Sequence, residues 1–173
     1  MYTPSNFKMN DNTEMIDFIH CNSFGTIITH NSDDYFATHL PFVIYHINGT
    51  IKLYSHFARA NNHWQQTTIH PSILIFLGHH YYVSPQFYDT TEHVPTWNYT
   101  SVHIHAKGQV VEDEAKSFKL MRTLIQNNED GFLSEWDKMS PEYRKNMIKR
   151  IVWIEFEVSK MMGKKKLSQK GRR

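Results

Sequence analysis

Apolar positions along the chain change period several times, and each change marks an element. Met15, Ile16 and Ile19 recur at helical spacing behind Asp11, Asn12 and Thr13, which predicts a capped helix over 12–22. The β-branched stretch 25–29 reads as a short strand. Residues 40–47 read as a second, joined through Asn48-Gly49 to a third over 51–54. Asn-Gly between apolar runs is a strong hairpin signal, because both turn residues must tolerate positive φ. Residues 73–78 are almost continuously apolar, the pattern of a strand buried on both faces, and 81–84 extend it.

A polar, proline-containing loop follows, from 85 to about 97. Over 99–111 the period is two: Val102, Ile104 and Ala106 fall on one side, Ser101, His103, His105 and Lys107 on the other. Helices are expected over 112–126, where Phe118, Leu120, Met121, Leu124 and Ile125 are apolar, and after Ser140, with Pro141 in the first turn. A last strand is expected over 151–158. Strands in hairpin and meander order with a few peripheral helices predict a mainly β, α+β fold, a small barrel decorated with helices. A doubly wound α/β sheet does not fit.

Composition narrows this picture. With 173 residues, 40% of them hydrophobic and 14% aromatic, the chain can bury a sizeable core, so one domain is expected and wholesale disorder is not. Cys21 is the only cysteine, which excludes an intrachain disulfide and a structural zinc knuckle; in its helix a small core role is expected. The first residues lack the pattern of a signal peptide and no apolar run is long enough to span a membrane, so the cytoplasm is the expected compartment.

Charge divides the chain. Residues 160–173 hold seven of the 19 Lys/Arg and no acid, leaving 12 bases against 17 acids in 1–159. A domain over 1–159 with a basic C-terminal segment 160–173 is the expected organisation. The acidic body argues against direct DNA reading, while the basic end could touch phosphates without sequence preference or simply be solvated.

Candidate chemistry is sparse. There is no phosphate-binding Gly-rich loop, no dinucleotide fingerprint and no nucleophile elbow. Twelve histidines are present, and His103 and His105 share a strand face, a spacing open to metal binding or to a polar surface stripe; no metal is assigned. The segment 55–62 breaks the strand period, and reads as a turn or short helix start. Ser55, His56, Arg59 and Asn61 gather donors there, which suits a phosphate or a capped surface loop. Trp97, after Pro95, is a stacking plane, an interface anchor or, more commonly, a core residue.

Six stretches in order resemble one family. They are Met1-Tyr2-Thr3-Pro4 with Phe7; Thr38-His39-Leu40-Pro41-Phe42; and His56-Phe57-Ala58-Arg59-Ala60-Asn61. The others are Gly78 with Tyr82-Val83-Ser84-Pro85 and Tyr88; Val94 through Tyr99; and Lys166-Leu167-Ser168-Gln169. Together they resemble the PaiB-type family of FMN-binding negative transcriptional regulators, across essentially the whole chain. His79 stands where the family usually has proline, Phe87 where it often has tryptophan, and Lys170 where it has asparagine.

The resemblance implies an FMN-binding split β-barrel, related to the pyridoxamine phosphate oxidases, working as a homodimer with FMN at the subunit interface. It implies that Thr38, His39, Leu40 and Pro41 line the flavin ring edge, and that Ser55, His56, Arg59 and Asn61 hold the phosphate. Tyr82 and Ser84 would follow on the next strand, and Trp97, Asn98 and Tyr99 would approach from a loop, at the other subunit's site. Lys166, Ser168 and Gln169 would close the pocket. The function so implied is that of an FMN-binding regulatory protein. Two alternatives stand beside it: an FMN-dependent oxidoreductase, of flavin reductase or oxidase type, and a haem-binding split barrel, for which the histidines supply axial ligands.

Overall fold

Asn48 and Gly49 take φ values of 51° and 78°, the left-handed pair that a two-residue hairpin turn needs. The hairpin they close lies within a seven-stranded antiparallel sheet, seen here in a computed structural model that describes residues 1–88, 92 and 94–167. In chain order the elements are β1 (Lys8–Met9), α1 (Asn12–Cys21), β2 (Phe24–His30), β3 (Tyr35–Ile47), β4 (Thr50–Ala58), α2 (His63–Ile69) and β5 (Ser72–Val83). They continue with β6 (Thr96–Val110), α3 (Glu114–Glu129), α4 (Leu133–Lys138), α5 (Pro141–Lys149) and β7 (Ile151–Lys166).

The sheet order is β1-β7-β4-β3-β2-β5-β6, and β6 also pairs with β7. That last pairing closes the sheet into a barrel, leaving β1 as a short addition on β7. Closure removes the strand edges that would otherwise pair with other chains.

Alternation sorts the side chains. Ile27, Phe42, Leu53, Phe57, Leu74, Phe76, Val102, Ile104, Ile154 and Phe156 point inward and are all but fully buried. Each such side chain contributes about 2–3 kcal/mol of transfer free energy. Helix α1, capped by Asp11 accepting from Thr13 N, adds Met15, Ile16 and Ile19 to this core. It closes the end of the barrel where Phe18 lies against Gly78. Helix α2 closes the other end, with His63 and Thr67 buried. Outside the barrel, α3 lays Leu120 and Leu124 over Val43, Tyr54 and Trp153, covering the β3–β4–β7 side.

Several expectations change. Strand β4 runs to Ala58, so the first half of the segment read as a turn is strand, because Phe57 continues the inward alternation. Strand β7 runs to Lys166, well past 158; after a bulge opposite His105 and Ala106, Met161 and Gly163 resume the inward face. Lys160–Lys166 therefore belong to the barrel wall, and 168–173 lie outside the described residues. Cys21 is exposed, since it falls off the Met15-Ile16-Ile19 stripe of its helix. Among the described residues no helix is long and apolar enough to cross a membrane.

Candidate functional site

The residues singled out by the sequence separate into two groups at opposite ends of the barrel. Beyond β4, at the α2 end, the chain turns through Arg59 and Asn61. Arg59 Nε donates to Lys149 O at 2.7 Å and its Nη2 to Ile151 O at 3.0 Å, so the guanidinium clamps the junction of α5 and β7. Asn61 Oδ1 accepts from His63 N at 3.0 Å, and its Nδ2 donates to Thr38 Oγ1 at 3.3 Å. Thr38 Oγ1 lies 2.7 Å from His63 Nδ1.

Ser55 and His56 sit lower on β4. Ser55 points inward, is fully buried and donates to Pro41 O at 2.7 Å. His56 points outward against Trp153, with ring centroids 4.9 Å apart. Its Nδ1 is buried without a partner among the described residues, and burial pushes the imidazole pKa down. Of the remaining β3 positions, Leu40 is buried in the core and His39 points outward. His39 Nδ1 lies 2.8 Å from Thr26 Oγ1, and its ring stacks near Phe24.

The second group projects past the α1 end, where β5 and β6 continue as a ribbon. Tyr82 pairs with Trp97 and Tyr81 with Asn98. The Tyr82 and Trp97 rings meet edge-on at 6.0 Å, with His80 6.3 Å from Trp97. Trp97 is 54% exposed, so it is not the core residue that such a side chain commonly is. Asn98 is buried and its Nδ2 donates to Tyr81 Oη at 3.1 Å. Lys166 Nζ donates to Thr96 Oγ1 at 2.6 Å. Ser84 Oγ accepts from Gln86 N, capping the turn Pro85–Phe87. Ser168 and Gln169 lie outside the described residues. From Trp97 to Ala106, which pairs with Ser72 at the α2 end, β6 rises roughly 30 Å at about 3.3 Å per residue.

Between the two groups lies an outer face that the sequence did not reveal as open. The run expected to be buried on both sides buries only Leu74 and Phe76; Ile73 and Ile75 are half-buried, and Leu77 is 50% exposed. Phe24, 67% exposed, extends this face on β2, and the cross-strand row Thr26, Ile75, His103, Met162 crosses it. The signal was present: a strand apolar on both faces, only one of which can face the barrel interior.

The donors fit a phosphate-bearing cofactor in part. Arg59 is an exposed cation held rigidly, with N–H groups beyond the two engaged by carbonyls, which suits an anion. The Ser55 hydroxyl and Asn61 amide already have protein partners. The exposed Trp97 and Tyr82 rings suit a planar group.

Comparison with known proteins identifies the family and the fold. A family model described as "Putative FMN-binding domain" matches residues 1–160. Protease synthase and sporulation protein PAI 2 of Bacillus subtilis is 33% identical over 172 residues, covering 98% of this chain and 82% of that protein. Among solved structures, the flavocytochrome Anf3 from Azotobacter vinelandii superposes with a TM-score of 0.73 at 15% identity, over 94% of this chain and 70% of that one. The FAD and haem binding protein from Mycobacterium smegmatis gives 0.70 at 13% identity, over 96% and 75%. At such identities these two structures establish the fold, a flavin-binding split barrel. With nearly the whole sequence matched by the family model and by the B. subtilis relative, the chain belongs to the FMN-binding family of split-barrel proteins that includes PAI 2.

Proposed function

We propose that this FMN-binding protein works as a homodimer, pairing through the open face of β2, β5 and β6 and holding flavin between the Arg59 end of one chain and the Trp97 end of the other. The carrying observation is the Ile73–Leu77 run, which is apolar on both sides but covered on one. A contiguous exposed apolar patch marks an interaction surface, and a twofold pair makes one patch its own complement. A twofold axis lying in the plane of this face and perpendicular to its strands brings the Trp97 end of one subunit beside the Arg59 end of the other. That arrangement overcomes the length of β6, which keeps the two groups apart within one chain.

Bound FMN supplies electron and hydride transfer. The chain's own residues bind and orient. Arg59 presents its guanidinium to the phosphate, and the Thr38–Pro41 stretch offers outward His39 at the ring edge. Tyr82, Trp97 and Lys166 close the site from the other chain. The name of the B. subtilis relative refers to protease synthesis and sporulation, which supports a regulatory role. The acidic excess in 1–159 favours the basic C-terminal end, from Lys160 onward, over the rest of the barrel for any contact with DNA.

The test is absolute mass by light scattering together with flavin absorbance after gel filtration. Two chains per particle with retained flavin are expected. Leu77→Glu should give single chains that release flavin. Single wild-type chains retaining flavin would overturn the interface, and a dimer that takes up no FMN would overturn the shared site. The outward His103 and His105 favour a second reading, haem, which a Soret band on adding haem to the flavin-free protein would support.

A further inference from the structure

On the side of the barrel away from the proposed dimer face, a cleft of about 730 Å³ opens between the β3–β4 hairpin and the first half of α3. Its size is that of a pocket for a small organic molecule. Its walls are apolar: Tyr45, Ile47 and Tyr54 from the hairpin, Leu120 from the helix. The tyrosine hydroxyls already have partners. Tyr45 Oη donates to Thr123 Oγ1 at 3.1 Å, and Tyr54 Oη to Glu155 Oε2 at 2.8 Å. The two rings meet edge to face at 5.6 Å.

Around this apolar wall the charges are uneven. Lys52, Lys116 and Lys119 line the cleft. Glu155 receives Lys52 on Oε1, and both Lys116, at 2.7 Å, and Tyr54 on Oε2, so both its oxygens are occupied. Lys52 and Lys116 each engage one N–H there, and an ammonium has three. Asp113 also lines the cleft, but it caps α3 by accepting from Lys116 N at 3.1 Å. Lys119 has no carboxylate within ion-pair distance among the described residues. The cleft therefore sets three cationic side chains, one of them without a carboxylate partner among the described residues, beside an apolar wall.

We propose that this cleft binds a small aromatic carboxylate, its ring against Tyr45 and Leu120 and its carboxylate at Lys119 and Lys52. Asp113 and Glu155 set the specificity: two charges already engaged leave room for a monoanion, and a second anionic group would meet them uncompensated. The site is separate from the flavin position and acts as a second ligand site on the same subunit.

The probe is 2-naphthoate, titrated into FMN-loaded protein by calorimetry, with 2-naphthylmethanol as the neutral counterpart. One 2-naphthoate per chain is expected, with the alcohol at least tenfold weaker. Lys119→Gln should weaken 2-naphthoate about tenfold and leave the alcohol unchanged. Ala115→Trp, which fills the mouth of the cleft from α3, should abolish binding of both while the melting temperature and retained flavin stay near wild type. No saturable binding to the wild type would overturn the proposal, as would equal affinity for the alcohol. Unchanged affinity in both variants would place the probe elsewhere and overturn it too. Because flavin retention is read in the same samples, failure here is distinguishable from failure of the dimeric flavin site.

Discussion

His63 Nε2 lies 2.9 Å from Thr29 Oγ1, inside the barrel wall at its α2 end. Thr29 Oγ1 is in turn 2.6 Å from Ser72 Oγ, and on its other side His63 Nδ1 lies 2.7 Å from Thr38 Oγ1, which accepts from Asn61. The chain is satisfied in one direction, with Asn61 donating to Thr38, Thr38 to Nδ1, Nε2–H to Thr29 and Thr29 to Ser72. It ties β2, β3, β5 and the entry to α2 together through a neutral imidazole packed between Phe36 and Phe57.

Burial pushes the His63 pKa down to about 4 from an ordinary 6.5. The unfolded chain therefore binds a proton that the folded chain refuses. Stability is full above pH 6.5, falls as pH drops toward 4 and levels off below it. The loss attributable to this group is about 3 kcal/mol. Urea midpoints at pH 7.5 and 4.5 should show this slope, and His63→Gln should flatten it while lowering the pH 7.5 midpoint. A slope unchanged in His63→Gln would assign the acid sensitivity elsewhere.

Glu155 carries the opposite sign. Burial alone pushes its carboxyl up, but hydrogen bonds from Lys116, Lys52 and Tyr54 outweigh that and bring it down to about 2. Its stabilisation is present above pH 4.5 and is lost as pH falls through 2. Tyr54 is pushed up to about 12, first by burial and then by its bond to Glu155, so its phenol remains a donor throughout. Glu155→Gln should lower stability by about 1–2 kcal/mol at pH 7 and by almost nothing at pH 2, read from denaturant unfolding at each pH.

Gly108 is required by contact rather than by φ. A Cβ there would lie 2.8 Å from Ile154 Cγ2, 2.9 Å from Thr67 Oγ1 and 3.0 Å from Thr67 O. The last is backbone of α2, which cannot swing aside as a side chain does. Gly108→Ala should cost about 1–3 kcal/mol by overpacking, visible as a melting temperature lower by roughly 2–10 °C. An unshifted melt would mean that α2 rides loosely on β6.

What was legible in the sequence was local. Asn48-Gly49 announces its hairpin within four residues, and the Val102-Ile104-Ala106 alternation announces its strand. The capping of α1 by Asp11 and the proline start of α5 are equally short-range. Long-range partners were not legible. Nothing near Arg59 says that its guanidinium meets carbonyls 90 and 92 residues away. Likewise, nothing near Lys160–Lys166 says that a basic stretch is held in place as a strand by β6. His63, Thr29 and Ser72 are ordinary polar residues until folding buries them together. The PaiB-type motifs located the FMN family but did not separate residues that face a ligand from those, such as Ser55, that fasten the wall.

Arg59 therefore has a structural task, and the flavin reading gives it a second one that experiment can separate. Its side chain bridges Lys149 O and Ile151 O at an exposed junction, so Arg59→Ala should lower the stability of flavin-free protein by about 1 kcal/mol. Arg59→Lys retains the charge but lacks the planar fork that reaches both carbonyls, and should melt close to Arg59→Ala. Flavin affinity should part the two variants. If the guanidinium charge also meets the phosphate, Arg59→Lys keeps FMN within about tenfold of wild type, and Arg59→Ala loses it by more than that. Fluorescence titration of FMN into each flavin-free variant, below its own melting transition, reads this directly. Equal, wild-type affinity in both would leave Arg59 a clamp alone and move the phosphate to other donors.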